Sequence, residues 1–66
     1  MAAGTVKWFN SEKGWGFIRG PEMVEFFVHQ NDILMEGFRE LIVGEPVTFD
    51  IEQADRGPKA INVRRA

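Results

Sequence analysis

The stretch Lys13-Gly14-Trp15-Gly16-Phe17-Ile18-Arg19 decides how this chain is read, because its alternation runs against what a core strand needs. In an extended strand, successive side chains point to opposite faces. Lys13, Trp15, Phe17 and Arg19 share one face, while Gly14, Gly16 and Ile18 share the other. The two largest apolar side chains thus stand with the cations, opposite a face that is mostly glycine. Ile18 alone fills a core. Such a strand displays its rings outward.

The neighbouring segments extend the pattern. In a strand around Phe26–Gln30, Phe26 and Val28 form the more apolar pair, which places Glu25, Phe27 and His29 outside. Around Thr5–Asn10, Val6 is the natural core residue, so Lys7 and Phe9 fall outside by parity. Trp8 then falls inside, unless a bulge swings it outward. Parity alone leaves Trp8 open. Around Val47–Glu52 the alternation is cleanest, with Val47, Phe49 and Ile51 facing inward and Thr48, Asp50 and Glu52 facing water. A last strand lies around Ala60–Arg64.

Turn signals separate these segments: Asn10-Ser11, Gly20-Pro21, Gly44-Glu45-Pro46 and Asp55-Arg56-Gly57-Pro58. Five short strands at this spacing predict an all-β fold, a five-stranded antiparallel barrel. The segment Asn31–Val43 is ambiguous. Leu34, Phe38, Leu41 and Ile42 sit at helical spacing, with Asn31 or Asp32 as a cap, but Gly37 costs such a helix about 1 kcal/mol. A single turn after His29, followed by an irregular loop, is the expectation.

At 66 residues the chain is expected to be one domain, residues 1–66, near the lower limit for independent folding. It has no cysteine, hence no disulfide and no thiolate metal site. Its 44% apolar content is that of a globular protein. No apolar run approaches the roughly 18 residues of a membrane span, and the start carries no signal-peptide pattern. A soluble cytoplasmic protein is expected.

The net charge of −2 argues against a nucleic-acid partner, but the distribution argues differently. Residues 1–20 carry +2, residues 21–55 carry −8 and residues 56–66 carry +4. A fold that joined the two basic ends would make a basic stripe.

On the outward face, Trp15, Phe17, Phe27 and His29 stand beside Lys13 and Arg19. Exposed apolar patches mark contact sites. Rings set among cations suit single-stranded nucleic acid, because each base offers a π-face and the cations follow the phosphates. Duplex bases are already stacked on each other and make poor ligands. A protein or proline-rich peptide is the alternative occupant of such a face. Catalysis has little support. One histidine and no cysteine leave no Cys–His pair and no zinc spacing. Ser11 lacks a nucleophile-elbow context. Gly14 and Gly16 precede no helix that would complete a phosphate loop.

Taken together, these motifs resemble those of the cold-shock domain. Lys13–Ile18 resembles its RNP1 motif, preceded by Val-Lys-Trp-Phe-Asn at Val6–Asn10, and Phe26–His29 resembles RNP2. Glu36-Gly37-Phe38 and the run Arg56–Val63 fit the same pattern, so the resemblance covers essentially the whole chain. RNA-recognition-motif domains carry RNP2 before RNP1 and need two helices, which this chain has no room for. The resemblance implies an OB-like barrel that binds single-stranded RNA and DNA on its second and third strands. It implies a platform of Trp8, Phe9, Trp15, Phe17, Phe27, His29 and Phe38, with Lys7, Lys13 and Arg56 contacting or steering the backbone. It also places Trp8 on the surface, treats Asn31–Val43 as mostly loop, and implies an ATP-independent RNA chaperone.

Two positions depart from the family pattern. Gln30 stands where many bacterial members carry an aromatic, which exchanges a stacking plane for an amide able to bond a base edge. Trp15 stands where Phe or Tyr is commoner, and its larger ring should stack at least as well. The expected partners are single-stranded RNA and single-stranded DNA, with no cofactor, metal or membrane, and the protein is expected to be a monomer.

Overall fold

The structure is a computed structural model that describes residues 1–34 and 41–66. Phe38, and the Glu36-Gly37-Phe38 motif with it, lie outside the described residues. Among the described residues five strands form: β1 (Ala2–Asn10), β2 (Trp15–Arg19), β3 (Glu25–His29), β4 (Pro46–Ala54) and β5 (Gly57–Arg65). They close into a barrel in the order β1-β2-β3-β5-β4, with β4 returning to β1. Every pairing is antiparallel except the short parallel seam of β3 with β5, where Phe27 meets Lys59. The all-β five-stranded barrel is thus the observed fold, and a further parallel bridge joins Ile33 to Val63.

The alternation read from β2 and β3 governs the interior. Ile18 pairs with Val6 on one side and Phe26 on the other, and all three are buried. Val28, Val47, Phe49, Ala60 and Val63 complete the barrel layer, with Phe26 and Phe49 in ring contact at 5.1 Å between centroids. Ile33 and Leu41 close one side of it.

Two bulges reset the parity. In β1, Val6 faces Ile18 but Trp8 faces Phe17, so Lys7 is the extra residue. Beyond it, Trp8 turns outward, and Phe9 pairs with Gly16 and packs against the core. The outward Phe9 expected from parity is therefore corrected, because the bulge exchanges the two faces of the strand at Lys7. In β5 the register shifts beside Asn62, whose φ is +52°. That shift lets Ala60 and Val63, three residues apart, both point inward.

Ile51 is also corrected. It continues the inward parity of Val47 and Phe49 but is 48% exposed. The reason is length. β1 pairs with β4 only as far as Phe49, and from Asp50 onward β4 pairs with β5 alone as a projecting two-stranded ribbon. An inward-pointing side chain there has no opposite wall. The two basic ends lie on strands that are not hydrogen-bonded neighbours in the barrel, since β5 sits between β3 and β4.

After His29 the chain makes a single 3₁₀ turn, Gln30–Asp32. Between β2 and β3 it makes a tight turn at Pro21–Met23, in which Glu22 and Met23 take φ values of 60° and 65°. Left-handed backbone costs a side-chain-bearing residue about 1–2 kcal/mol. Met23 is 72% exposed and gains little from packing in return. Met23→Gly is expected to raise stability by about 0.5–1 kcal/mol, the relief of strain less glycine's greater unfolded-state entropy. Urea unfolding would show a higher midpoint, and a lower one would mean that the turn is not strained.

Candidate functional site

The outward face of β2 and β3 forms a continuous aromatic surface that Trp8 joins from β1. Trp8 and Trp15 meet edge-on at 4.9 Å between centroids, and Trp8 lies 5.7 Å from Phe17. Trp15 and Phe17 each contact Phe27, at 5.9 and 6.0 Å. The four rings are half-buried by one another and keep one side open to solvent. Pairing explains the assembly. Phe17 stands opposite Trp8 on one side and Phe27 on the other, while Trp15 stands opposite His29. Cross-strand neighbours at this spacing are within reach of aromatic side chains.

His29 ends β3 with its Nδ1 accepting the Asn31 N–H at 3.2 Å. In the neutral ring that leaves the proton on Nε2, which has no acceptor among the described residues. Gln30 follows, and its backbone N–H donates to the Gly14 carbonyl at 2.7 Å. Its carboxamide lies against Gly14, where an added Cβ would stand 2.6 to 2.9 Å from all three terminal amide atoms. Gln30 is therefore seated over the entry of β2. The turn leading into that entry is held by Asn10, whose side chain accepts from the Lys13 N–H at 3.0 Å and whose carbonyl accepts from Gly14 at 2.7 Å. Lys13 is exposed on this turn.

The projecting β4–β5 ribbon forms the second wall. Trp15, Phe17 and Phe27 line one side of a cleft of about 780 Å³, and the ribbon from Ala54 to Lys59 lines the other. Arg56 sits at the tip of the ribbon, far from the rings in sequence but across the cleft from them. Pro58 and Lys59 belong to this wall and were not singled out by sequence reasoning. Alternation across Lys59 and buried Ala60 shows which of the two faces out, but nothing local says that β5 runs beside β3.

The cations are differently engaged. Lys7 Nζ bonds Glu25 Oε2 at 2.6 Å, reaching over β2 from β1 to β3. This hydrogen bond and the accompanying charge hold the Glu25 carboxyl below the usual carboxylate range. Lys59 pairs with Asp32 at 3.3 Å. Lys13, Arg19 and Arg56 have no carboxylate partner among the described residues. The structure thus gathers Trp8, Trp15, Phe17, Phe27 and His29 on one surface, with Arg56 facing it. It turns Phe9 beneath that surface, seats Gln30 at its rim, and places Lys7 in an ion pair.

The molecule is a small closed barrel that carries aromatic side chains outward on three adjacent strands. The sequence profile of the 'Cold-shock' DNA-binding domain matches residues 2–66, and the chain belongs to the cold-shock domain family. It is 53% identical over 64 residues to cold shock protein 2 of Lactiplantibacillus plantarum, covering 97% of each chain. It is likewise 53% identical over 70 residues to cold shock protein ScoF of Streptomyces coelicolor, covering both chains fully. To the major cold shock protein of Streptococcus pyogenes serotype M18 it is 48% identical over 65 residues, covering 98% of this chain and 97% of the other.

Proposed function

We propose that the chain binds single-stranded RNA and single-stranded DNA through its ring surface and acts as an ATP-independent RNA chaperone. The observation that carries this reading is the contact network of Trp8, Trp15, Phe17 and Phe27 on one open face. Each ring is a plane on which a base can stack, and stacking of this kind tolerates any sequence. Arg56 meets the phosphates from the cleft wall opposite the rings, and Lys13 from the exposed turn that leads into β2. His29 offers its Nε2 proton and Gln30 its amide to base edges, and Phe9 supports Gly16 from below.

Chaperoning follows from mass action. A protein that binds unpaired strands and not duplex shifts melting by RT ln(1 + [L]/Kd). Where hairpins block transcription or translation, this helps the process past them without nucleotide hydrolysis. The chain does this as one domain and as a cytoplasmic monomer, without metal or cofactor.

Both tryptophans of the sequence lie in the ring surface, so their fluorescence reports its occupancy directly. Oligothymidine or oligouridine should quench it at micromolar protein, with affinity falling as salt rises. The slope of log K against log salt is expected to be about −0.7 per phosphate neutralised. Absence of quenching, or quenching by a proline-rich peptide without salt dependence, would instead make the face a peptide-binding surface.

A further inference from the structure

Two of the cations beside the rings are already neutralised within the chain. Glu25 lies opposite Arg19 and two residues from Phe27, on the same outward face of β3. The Lys7–Glu25 pair therefore crosses the sheet where the ring surface ends. Lys59 lies opposite Phe27 on β5 and lines the cleft with it, while its partner Asp32 belongs to the turn that follows β3. The two pairs thus flank Phe27 from different sides. The Lys7 and Glu25 side chains are 39% and 42% exposed, and those of Lys59 and Asp32 28% and 25%. Pairs this open to water are weak and exchange readily.

We propose that Glu25 and Asp32 act as phosphate surrogates: they hold Lys7 and Lys59 in the unbound protein and release them to the nucleic-acid backbone on binding. The inference rests on the nucleic-acid reading of the ring surface. Each lysine then trades one anionic oxygen partner for another. The net gain from that cation is small, and the freed carboxylate takes up a solvent cation as the strand loses one. The ring surface supplies most of the affinity, and its dependence on salt is shallower than the nearby cations would give. A chain built in this way favours unstacked bases over phosphate density, which suits a protein that must avoid duplex.

The test is a pair of double-mutant cycles on oligothymidine binding, followed by tryptophan fluorescence through a salt series. Folding of each variant is checked from its unfolding midpoint. Glu25→Gln is expected to tighten binding by about two- to five-fold, the scale of an exposed ion pair. It should also steepen the salt slope by about 0.7. Lys7→Met is expected to be nearly neutral in the wild-type background and to abolish that gain in the Glu25→Gln background. Asp32→Asn and Lys59→Met form the second cycle, with the same expectation. Asp55→Asn, at a cleft carboxylate with no cation partner among the described residues, measures the effect of simply removing a negative charge.

If each lysine substitution costs the same with and without its acid, the carboxylates act only through bulk charge and the proposal is overturned. It is equally overturned if Glu25→Gln and Asp32→Asn leave affinity and slope unchanged while the wild type binds. If neither the wild type nor the acid variants bind the oligonucleotide, the ring-surface reading itself fails, and this inference with it.

Discussion

Replacing Gly16 by alanine is expected to destabilise the barrel by about 2–4 kcal/mol, more than a change at any exposed site. Gly16 pairs with Phe9 across the β1 bulge. A Cβ there would overlap the Trp8 carbonyl oxygen and come within 2.7 Å of the Phe9 Cα. Both are backbone atoms, so no rotamer change relieves the clash, and β1 must move away from β2. Native domains are stable by only about 0.05–0.15 kcal/mol per residue, so a barrel of this size would lose much of its margin. Gly44→Ala makes the comparison. Gly44 has a φ of +87° and, among the described residues, nothing within 4 Å of an added Cβ, so its substitution costs backbone strain, about 1–2 kcal/mol. Urea unfolding of the two variants separates the effects. Equal losses would mean that the close approach of β1 and β2 does not matter.

Phe17→Ala is expected to cost about 1–3 kcal/mol of single-strand affinity, roughly five- to 150-fold, with a much smaller loss of stability. Phe17 is the hub of the ring surface, in contact with Trp8, Trp15 and Phe27. It is only half-buried, whereas Ile18 beside it is 0% exposed. Removing Phe17 takes a stacking plane away and unsupports three others. Phe27→Ala should behave alike, but the two effects should not add, because the rings touch. Oligonucleotide titration and urea unfolding of the same preparation decide the matter. A variant that unfolds while its folded fraction keeps wild-type affinity would make Phe17 a core residue and the ring surface no binding site.

The contrast between Phe17 and Ile18 was legible in the sequence, because within an unbroken strand the face of each side chain follows from the one before it. Trp15, Phe17, Phe27 and His29 were found in this way. Trp8 and Phe9 were not, since a bulge at Lys7 exchanges their faces and depends on how β2 pairs with β1. Ile51 failed for a related reason: its parity is inward, but the wall it would face stops at Phe49.

The charges show the same division. Residue order alone places Lys7 beside Trp8 and Lys59 beside Pro58. Their partners Glu25 and Asp32 come from β3 and the turn after it, 18 residues away in the case of Lys7. Strand alternation is a property of a few consecutive peptide units, so the outward rings of β2 and β3 were determined by the sequence itself. Bulge position, the length of the opposing wall and the pairing of lysines depend on segments distant in the chain. Those were decided only when the barrel closed and brought them within contact distance.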